Sequence, residues 1–202
     1  MKPGKDSVSR LFDSGMECTL SDLSFEPFKA DTVNVKSFDC GNGDLNEFLH
    51  TDEVNEFEKE HFGKTTLVYC SGSLAAYYTI YADSLERTYV QKHGSLSKAT
   101  MLHVKSIPAI MVGRLAVDCK WQKKGIGKAI LERIVMYALD NSSHMGIRLI
   151  LVQAKLDAVS FYEKFGFVAV PADFKEEAKR MRTKGTRTLF LDIDKVREAL
   201  EE

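Results

Sequence analysis

The sequence predicts an α/β (α+β) domain built on a central mixed β-sheet flanked by helices. Three observations predict it. Strand-forming runs at 65–70, 74–81, 109–118, 147–153, 167–170 and 187–193 are separated by segments of helical period. The longest helical pattern, Gly125 to about Asn141, starts directly after a strand and a glycine-bearing turn. The chain has 202 residues, 44% of them hydrophobic, which suits one sizeable core and is short for two.

Each element has its own signal. Residues 1–22 lack periodicity and are expected to be a loose tail, with the domain over 23–193 and a helical tail over 194–202. A first strand is expected within 24–35. Cys40-Gly41-Asn42-Gly43 reads as a turn. Asp44 then reads as a helix N-cap with Glu47 as its capping-box partner. Leu45, Phe48 and Leu49 give that helix an apolar face, and the pattern runs on, interrupted, to about Phe62. Ser71-Gly72-Ser73 joins two strands into a hairpin. Residues 83–107 are polar and ambiguous, an inserted loop or a short helix. Ile126, Ala129, Ile130, Ile134 and Ala138 lie near one face of the long helix. A short helix over 157–164 ends before Gly166.

Composition excludes several classes. No stretch reaches the ~18–20 apolar residues of a membrane span. Lys2, Lys5, Asp6 and Arg10 break any signal-peptide core. Cys18, Cys40, Cys70 and Cys119 are widely separated and form no CxxC pair, so neither a zinc site nor a disulfide framework is expected. A reduced, cytoplasmic protein is expected instead. The five histidines show no ligand spacing, and no metal is expected. Net charge is −1, yet residues 1–100 hold 10 Lys and Arg against 16 Asp and Glu, and residues 101–202 hold 18 against 13. The basic second half suits an anionic ligand, a nucleotide or RNA, though charge alone favours a mixed solvated surface.

The segment Gln122-Lys123-Lys124-Gly125-Ile126-Gly127 carries the chemistry. It lies between a strand and a helix. The first amides of a helix have no internal partner, and its dipole makes that end positive, so it can hold phosphate. Gly125 and Gly127 let the backbone approach an oxyanion. Lys123, Lys124 and Lys128 add charge. A tight strand–helix turn would also require those glycines. The pattern is no P-loop, because GxxxxGK[ST] is missing, and no dinucleotide fingerprint, because the third glycine is missing.

The run Gln122-x-x-Gly125-x-Gly127 resembles the acetyl-CoA pyrophosphate loop of the GNAT N-acetyltransferase superfamily. The strand Leu149–Gln153, followed by Ala158-Val159-Ser160-Phe161-Tyr162-Glu163-Lys164-Phe165-Gly166-Phe167, resembles that superfamily's A-x-x-F-Y-x-x-x-G-F ending. Phe38-Asp39-Cys40-Gly41, Leu45-Asn46-Glu47-Phe48-Leu49 and Gly113-Arg114-Leu115-Ala116-Val117-Asp118 look like the GNAT toxins of type II toxin–antitoxin modules. Those enzymes acetylate the amino group of aminoacyl-tRNA. The likeness runs from about residue 23 to 193. Two departures stand out: Lys123 occupies a position often held by glycine, and the chain is not strongly basic.

The resemblance implies acetyl-CoA as co-substrate and no metal. Leu115, Ala116 and Val117 would offer strand backbone to the pantetheine arm, as in β-augmentation. Gln122, Lys123, Lys124, Gly125, Ile126, Gly127 and Lys128 would hold the pyrophosphate. Tyr162 becomes the candidate catalytic acid, since a phenol with a pKa near ~10 is protonated at neutral pH and can protonate a departing thiolate. Without the resemblance, Phe161-Tyr162 reads as a core pair with Phe165 and Phe167. Asp118 is either a substrate-side group or a cap. Arg114 faces away from Leu115 and suits an RNA phosphate, an acid in the core or a dimer interface. The basic residues of 173–187 suit a phosphate backbone or a solvated loop or helix.

The implied partners are acetyl-CoA, a primary amine such as that of aminoacyl-tRNA, an antitoxin protein and a second copy in a homodimer; no membrane is implied. An α-amine titrates near ~7.7–8.0 and needs little help from a base, which favours it over a lysine side chain. A small amine, a protein N-terminus and a non-catalytic acyl-CoA-binding module remain alternatives on the same fold.

Overall fold

The computed structural model describes residues 23–30, 35–91 and 104–201. The tail at 1–22 and part of the ambiguous 83–107 segment lie outside the described residues. Seven strands form one mixed sheet: β1 (Leu23–Pro27), β2 (Lys64–Cys70), β3 (Ser73–Glu86), β4 (Ser106–Val117), β5 (Leu149–Lys155), β6 (Val168–Ala169) and β7 (Thr186–Asp192). Their order is β1-β2-β3-β4-β5-β7-β6. Helices flank the sheet: α1 (Gly43–His50), α2 (Glu53–Lys59), α3 (Arg87–Gln91), α4 (Ile126–Asn141), α5 (Val159–Phe165), α6 (Lys175–Lys184) and α7 (Ile193–Glu201). The expected α/β sheet is what the chain builds.

The β2–β3 hairpin shows how local sequence dictates geometry. Its two-residue loop is Ser71-Gly72, with φ of 50° and 78°. Positive φ at both positions matches the twist of the strands it joins. Antiparallel pairing follows from Cys70–Ser73 to Lys64–Ile80, with a register shift at Val68/Tyr69. β3 extends to Glu86, beyond its apolar run, and a helical turn (α3) follows. In β5, Leu149 to Val152 are buried without a break, as expected of a strand covered on both faces. It pairs antiparallel with β7 along its whole length.

The chain divides into two compact units. One comprises the described residues up to 81 together with 112–133; the other comprises 82–111 and 134–201. The first unit has a core of Phe38, Phe48, Leu49, Val54, Leu67, Tyr77 and Ala116. Phe48 stacks on Tyr77 at 6.1 Å, and Phe38 meets the same ring edge-on at 5.5 Å. The buried Tyr77 hydroxyl donates to the Leu45 carbonyl at 2.6 Å, tying α1 to β3. In the second unit, Leu189, Phe190 and Ile193 are buried around the end of β7. Arg148 Nε donates to Asp192 Oδ1 at 2.9 Å, and its guanidinium also reaches Asp194 at the start of α7.

One cap differs from expectation. Asp44 lies inside α1, and the N-cap is Asn42, whose side chain accepts from the Leu45 amide at 3.2 Å. Asn42 sits between two glycines, where turn and cap signals overlap, and this puts the cap two residues before Asp44.

Candidate active site

The turn after β4 is built around a buried carboxylate. Asp118 is 4% exposed. Its Oδ1 accepts from the Lys120 amide at 2.9 Å, capping the 3-10 turn Cys119–Trp121. Its Oδ2 accepts from the Asp39 amide at 3.0 Å. The Asp118 amide donates to Ala75 in β3 at 2.9 Å, and the Cys119 amide donates to the Asp39 carbonyl at 2.8 Å. One side chain therefore joins the strand end, the turn and the segment 38–41. Both oxygens are engaged with backbone donors, which is the capping geometry.

Gln122 continues the same bracing. Its Nε2 donates to the Cys40 carbonyl and to the Val117 carbonyl, each at 3.0 Å. The side chain thus holds the turn to β4 and to the 38–41 segment, and its amide protons are already committed. That differs from an expectation of direct phosphate contact by this side chain. One of those carbonyls comes from the end of β4 and the other from a segment 82 residues away, which no local pattern reveals.

Lys123 has φ of 61°, the left-handed region, and Gly125 has φ of 84°. The glycine-like position noted in the sequence is a glycine-like conformation in the structure. A non-glycine residue there costs roughly 1–2 kcal/mol. The strain lets the chain reverse within three residues and enter α4 at Ile126. The first helical hydrogen bond from the turn runs from the Ala129 amide to the Gly125 carbonyl at 3.0 Å. The amides of Ile126, Gly127 and Lys128 precede it and face out of the helix end. Ile126 is buried beneath the turn. Lys124 Nζ lies 4.9 Å from the centre of the Trp121 ring. Lys128 Nζ lies 3.5 Å from Glu132 Oε1. Burial pushes the Glu132 carboxyl up, and Lys128 opposes the shift.

Along β4, Ala116 is buried while Leu115 and Val117 are half-buried. Gly113 is where Tyr81 crosses: a Cβ there would come within 2.4 Å of the Tyr81 ring. Arg114 pairs with Glu53 at 3.0 Å, and its guanidinium covers the Phe48 ring at 3.5 Å. Of the readings open for Arg114, the structure places it against an acid and the aromatic core of its own unit.

Tyr162 lies in the other unit, on α5. Gly166, with φ of 107°, ends that helix, and the Phe167 amide returns to the Tyr162 carbonyl at 3.0 Å. The Tyr162 ring meets Phe161 at 5.0 Å and Phe167 at 5.5 Å, both edge-on. It is 8% exposed. Burial pushes its phenol up to about 12. Its hydroxyl has no hydrogen-bond partner among the described residues, so it is available to a ligand atom.

Within the 173–187 segment, Lys175–Lys184 form helix α6, and Thr186 and Arg187 begin β7. Glu177 is the buried residue of α6, accepting from the Thr188 amide at 2.7 Å. Arg180 lies 3.8 Å from the same carboxylate. Lys175, Lys179, Arg182 and Lys184 stay exposed. Within this unit a cavity of about 230 Å³ is lined by Asp83, Glu86, Glu176 and Glu177, with Arg180 the one basic residue among the described residues that line it. Sequence reasoning missed this cavity, since its carboxylates come from β3 and α6, about 90 residues apart. It also missed the Asp39–Asp118 link, for which residues 79 apart offer no local signal. Among the described residues, no group of His, Cys, Asp and Glu is arranged to hold a metal. None of the described helices is long and apolar enough to cross a membrane.

Comparison with known proteins bears on this geometry. Residues 76–169 match the acetyltransferase (GNAT) domain family. A tRNA-acetylating toxin of Mycobacterium tuberculosis (strain ATCC 25618 / H37Rv) is 27% identical over 146 residues, covering 71% of this chain and 84% of that protein. Among solved structures, AtaT complexed with acetyl-methionyl-tRNAfMet superposes with a TM-score of 0.70 at 22% identity, over 89% of this chain and 99% of AtaT. A tyrosine-to-phenylalanine mutant of AtaT, bound to the C-terminus of the antitoxin AtaR and acetyl-CoA, gives 0.67 at 23% identity, over 90% and 99%. The two superpositions identify the fold as the one these toxins share.

Two substitutions test the turn. Asp118→Ala strands two backbone donors beside the buried carboxylate site and lowers unfolding free energy by about 2–3 kcal/mol in urea titration. Asp118→Asn, which keeps one acceptor oxygen, loses less. Lys123→Gly relieves the left-handed strain and raises stability by about 0.5–1 kcal/mol, read as a higher midpoint of thermal unfolding. Lys123→Ala keeps the strain and gives no such gain.

Proposed function

We propose that this chain, a GNAT acetyltransferase through residues 76–169, moves the acetyl group of acetyl-CoA to the α-amino group of an aminoacyl-tRNA. The observation that carries the reading is the strained turn at Lys123 to Gly125, which presents the open amides of Ile126, Gly127 and Lys128 at the head of α4. Such an end, with Lys123, Lys124 and Lys128 around it, fits the pyrophosphate of acetyl-CoA. Residues Leu115, Ala116 and Val117 would pair their backbone with the pantetheine arm, and Gln122 would keep the turn in place from behind. When bound, acetyl-CoA supplies a thioester open to attack by an amine.

Tyr162 is the proposed acid. Its Oη would give its proton to the sulfur that leaves. Burial leaves the phenol protonated throughout the neutral range, the state a proton donor needs. Asp118 is committed to backbone donors, and an α-amine is partly neutral near pH 7, so no protein base is assigned. The tRNA-acetylating toxin relative and AtaT with acetyl-methionyl-tRNAfMet support the choice of acceptor. The AtaR complex of AtaT supports an antitoxin as partner, and an aminoacyl-tRNA substrate would place the reaction in the cytoplasm. The exposed lysines and Arg182 of α6 are available to an RNA backbone.

The acidic cavity favours a second reading, a small cationic amine as acceptor. Labelled acetyl-CoA and a charged tRNA pool, read by mass spectrometry of the aminoacyl ends, separate the two. Label on the aminoacyl ends, falling steeply with salt, is the expected result. Label confined to small amines would remove the tRNA reading.

Tyr162→Phe is expected to lower kcat by about 100-fold with acetyl-CoA Kd changed less than about twofold. In the wild type, the alkaline limb of kcat due to this phenol lies near pH 12 rather than near ~10. The same shift makes Tyr162 a source of stability that is complete below its unfolded value near ~10 and lost as pH rises through about 12.

A further inference from the structure

Cys40 and Cys119 lie in two segments that the fold clamps side by side. The Cys119 amide donates to the carbonyl of Asp39, the residue before Cys40, at 2.8 Å. Bond lengths then hold the two cysteine Cα atoms within about 7 Å, close to the range of about 4.4–6.8 Å that disulfides span. Cys119 Sγ stands over the next residue, Gly41: a Cβ built there would be 3.4 Å from the sulfur. Gln122 Nε2 touches both sides, 3.0 Å from the Cys40 carbonyl and 3.9 Å from Cys119 Sγ. Both thiols are free. They differ in access. Cys119 is exposed, whereas Cys40 is half-buried against Asn46 Oδ1 at 3.1 Å. Burial pushes the Cys40 thiol up, and charge on Cys119 adds to that, as befits two sulfurs in one locus.

We propose that Cys40 and Cys119 form a dithiol that closes to a disulfide under oxidation and thereby weakens acetyl-CoA binding at the turn beside it. The effect on acetyl-CoA rests on the cofactor reading above; the disulfide itself does not. The oxidant is a low-molecular-weight disulfide such as glutathione disulfide. The exposed Cys119 thiolate attacks one of its sulfurs, its S–S bond breaks, and one glutathione thiolate leaves. The Cys40 thiol loses its proton to solvent and attacks the Cys119 sulfur, expelling the second glutathione. Two protein thiols are oxidised and one glutathione disulfide is reduced to two thiols. Closure would take Cys119 Sγ out of its 3.9 Å contact with Gln122 Nε2 and load the Cys40 carbonyl that the same amide holds, disturbing the side chain that braces the strained turn.

The test uses the full chain, which retains Cys18 and Cys70. It is treated with glutathione disulfide, alkylated, digested and mapped by mass spectrometry, and acetyl-CoA binding is measured by calorimetry. The expected result is a Cys40–Cys119 cross-linked peptide and a Kd about tenfold weaker than in the reduced protein, restored by dithiothreitol. Cys119→Ser should give no such peptide and keep its affinity in the oxidant. Glutathione fixed on Cys119 with no cross-link would overturn the dithiol. A cross-link with unchanged Kd would overturn the switch. A protein that forms the cross-link on oxidation yet does not bind acetyl-CoA when reduced would sink the cofactor reading instead, and the switch with it.

Discussion

The carboxylate of Asp118 is the constraint on which the turn depends. Two backbone donors converge on it, one from the Asp39 segment and one from the 3-10 turn that follows β4. Buried charge is stable only when so satisfied. With it in place, the Cys119 amide can reach Asp39 and Gln122 can reach Cys40. Those contacts bring the chain to Lys123 in a conformation it would not adopt alone. A strained residue persists where surrounding bonds over-determine it, and here the bonds come from three separate stretches of sequence.

The aromatic core of the same unit performs a parallel task for α1. Phe38, Phe48 and Tyr77 fix the helix by stacking, edge contact and the Tyr77 hydroxyl bond to Leu45. Arg114 caps the cluster, its charge balanced by Glu53 and its plane laid over Phe48. The segment 38–41 thus has a rigid helix after it and a carboxylate clip beside it. In the other unit, Gly166 fixes the last turn of α5 and leaves the Tyr162 ring among phenylalanines, where its proton is retained.

Legibility in the sequence followed the range of the interactions. Local signals succeeded: the period of α4, the Ser71-Gly72 turn, the unbroken apolar run of β5 and the stop at Gly166 each depend on neighbours within a few residues. The odd residue at 123 was visible as well, because a loop that often carries glycine there carried lysine, and the left-handed φ explains why glycine suits it. Contacts between distant segments were not visible. Gln122 looked like a ligand for phosphate, yet its amide is spent on the carbonyls of Cys40 and Val117. Glu177 looked like one acid in a basic run, yet it is the buried residue that anchors α6 to the Thr188 amide. Asn42 was hidden between two glycines.

Trp121 carries a practical consequence. It is the chain's single tryptophan, it ends the 3-10 turn capped by Asp118, and Lys124 rests over its ring. Excited selectively, its indole emission reports from the turn after β4 alone, with no second tryptophan to dilute the signal. A cation close to an indole alters its emission, so displacement of Lys124 by an arriving anion changes brightness or colour at that spot. The protein therefore contains an intrinsic optical probe at the place where its co-substrate would dock.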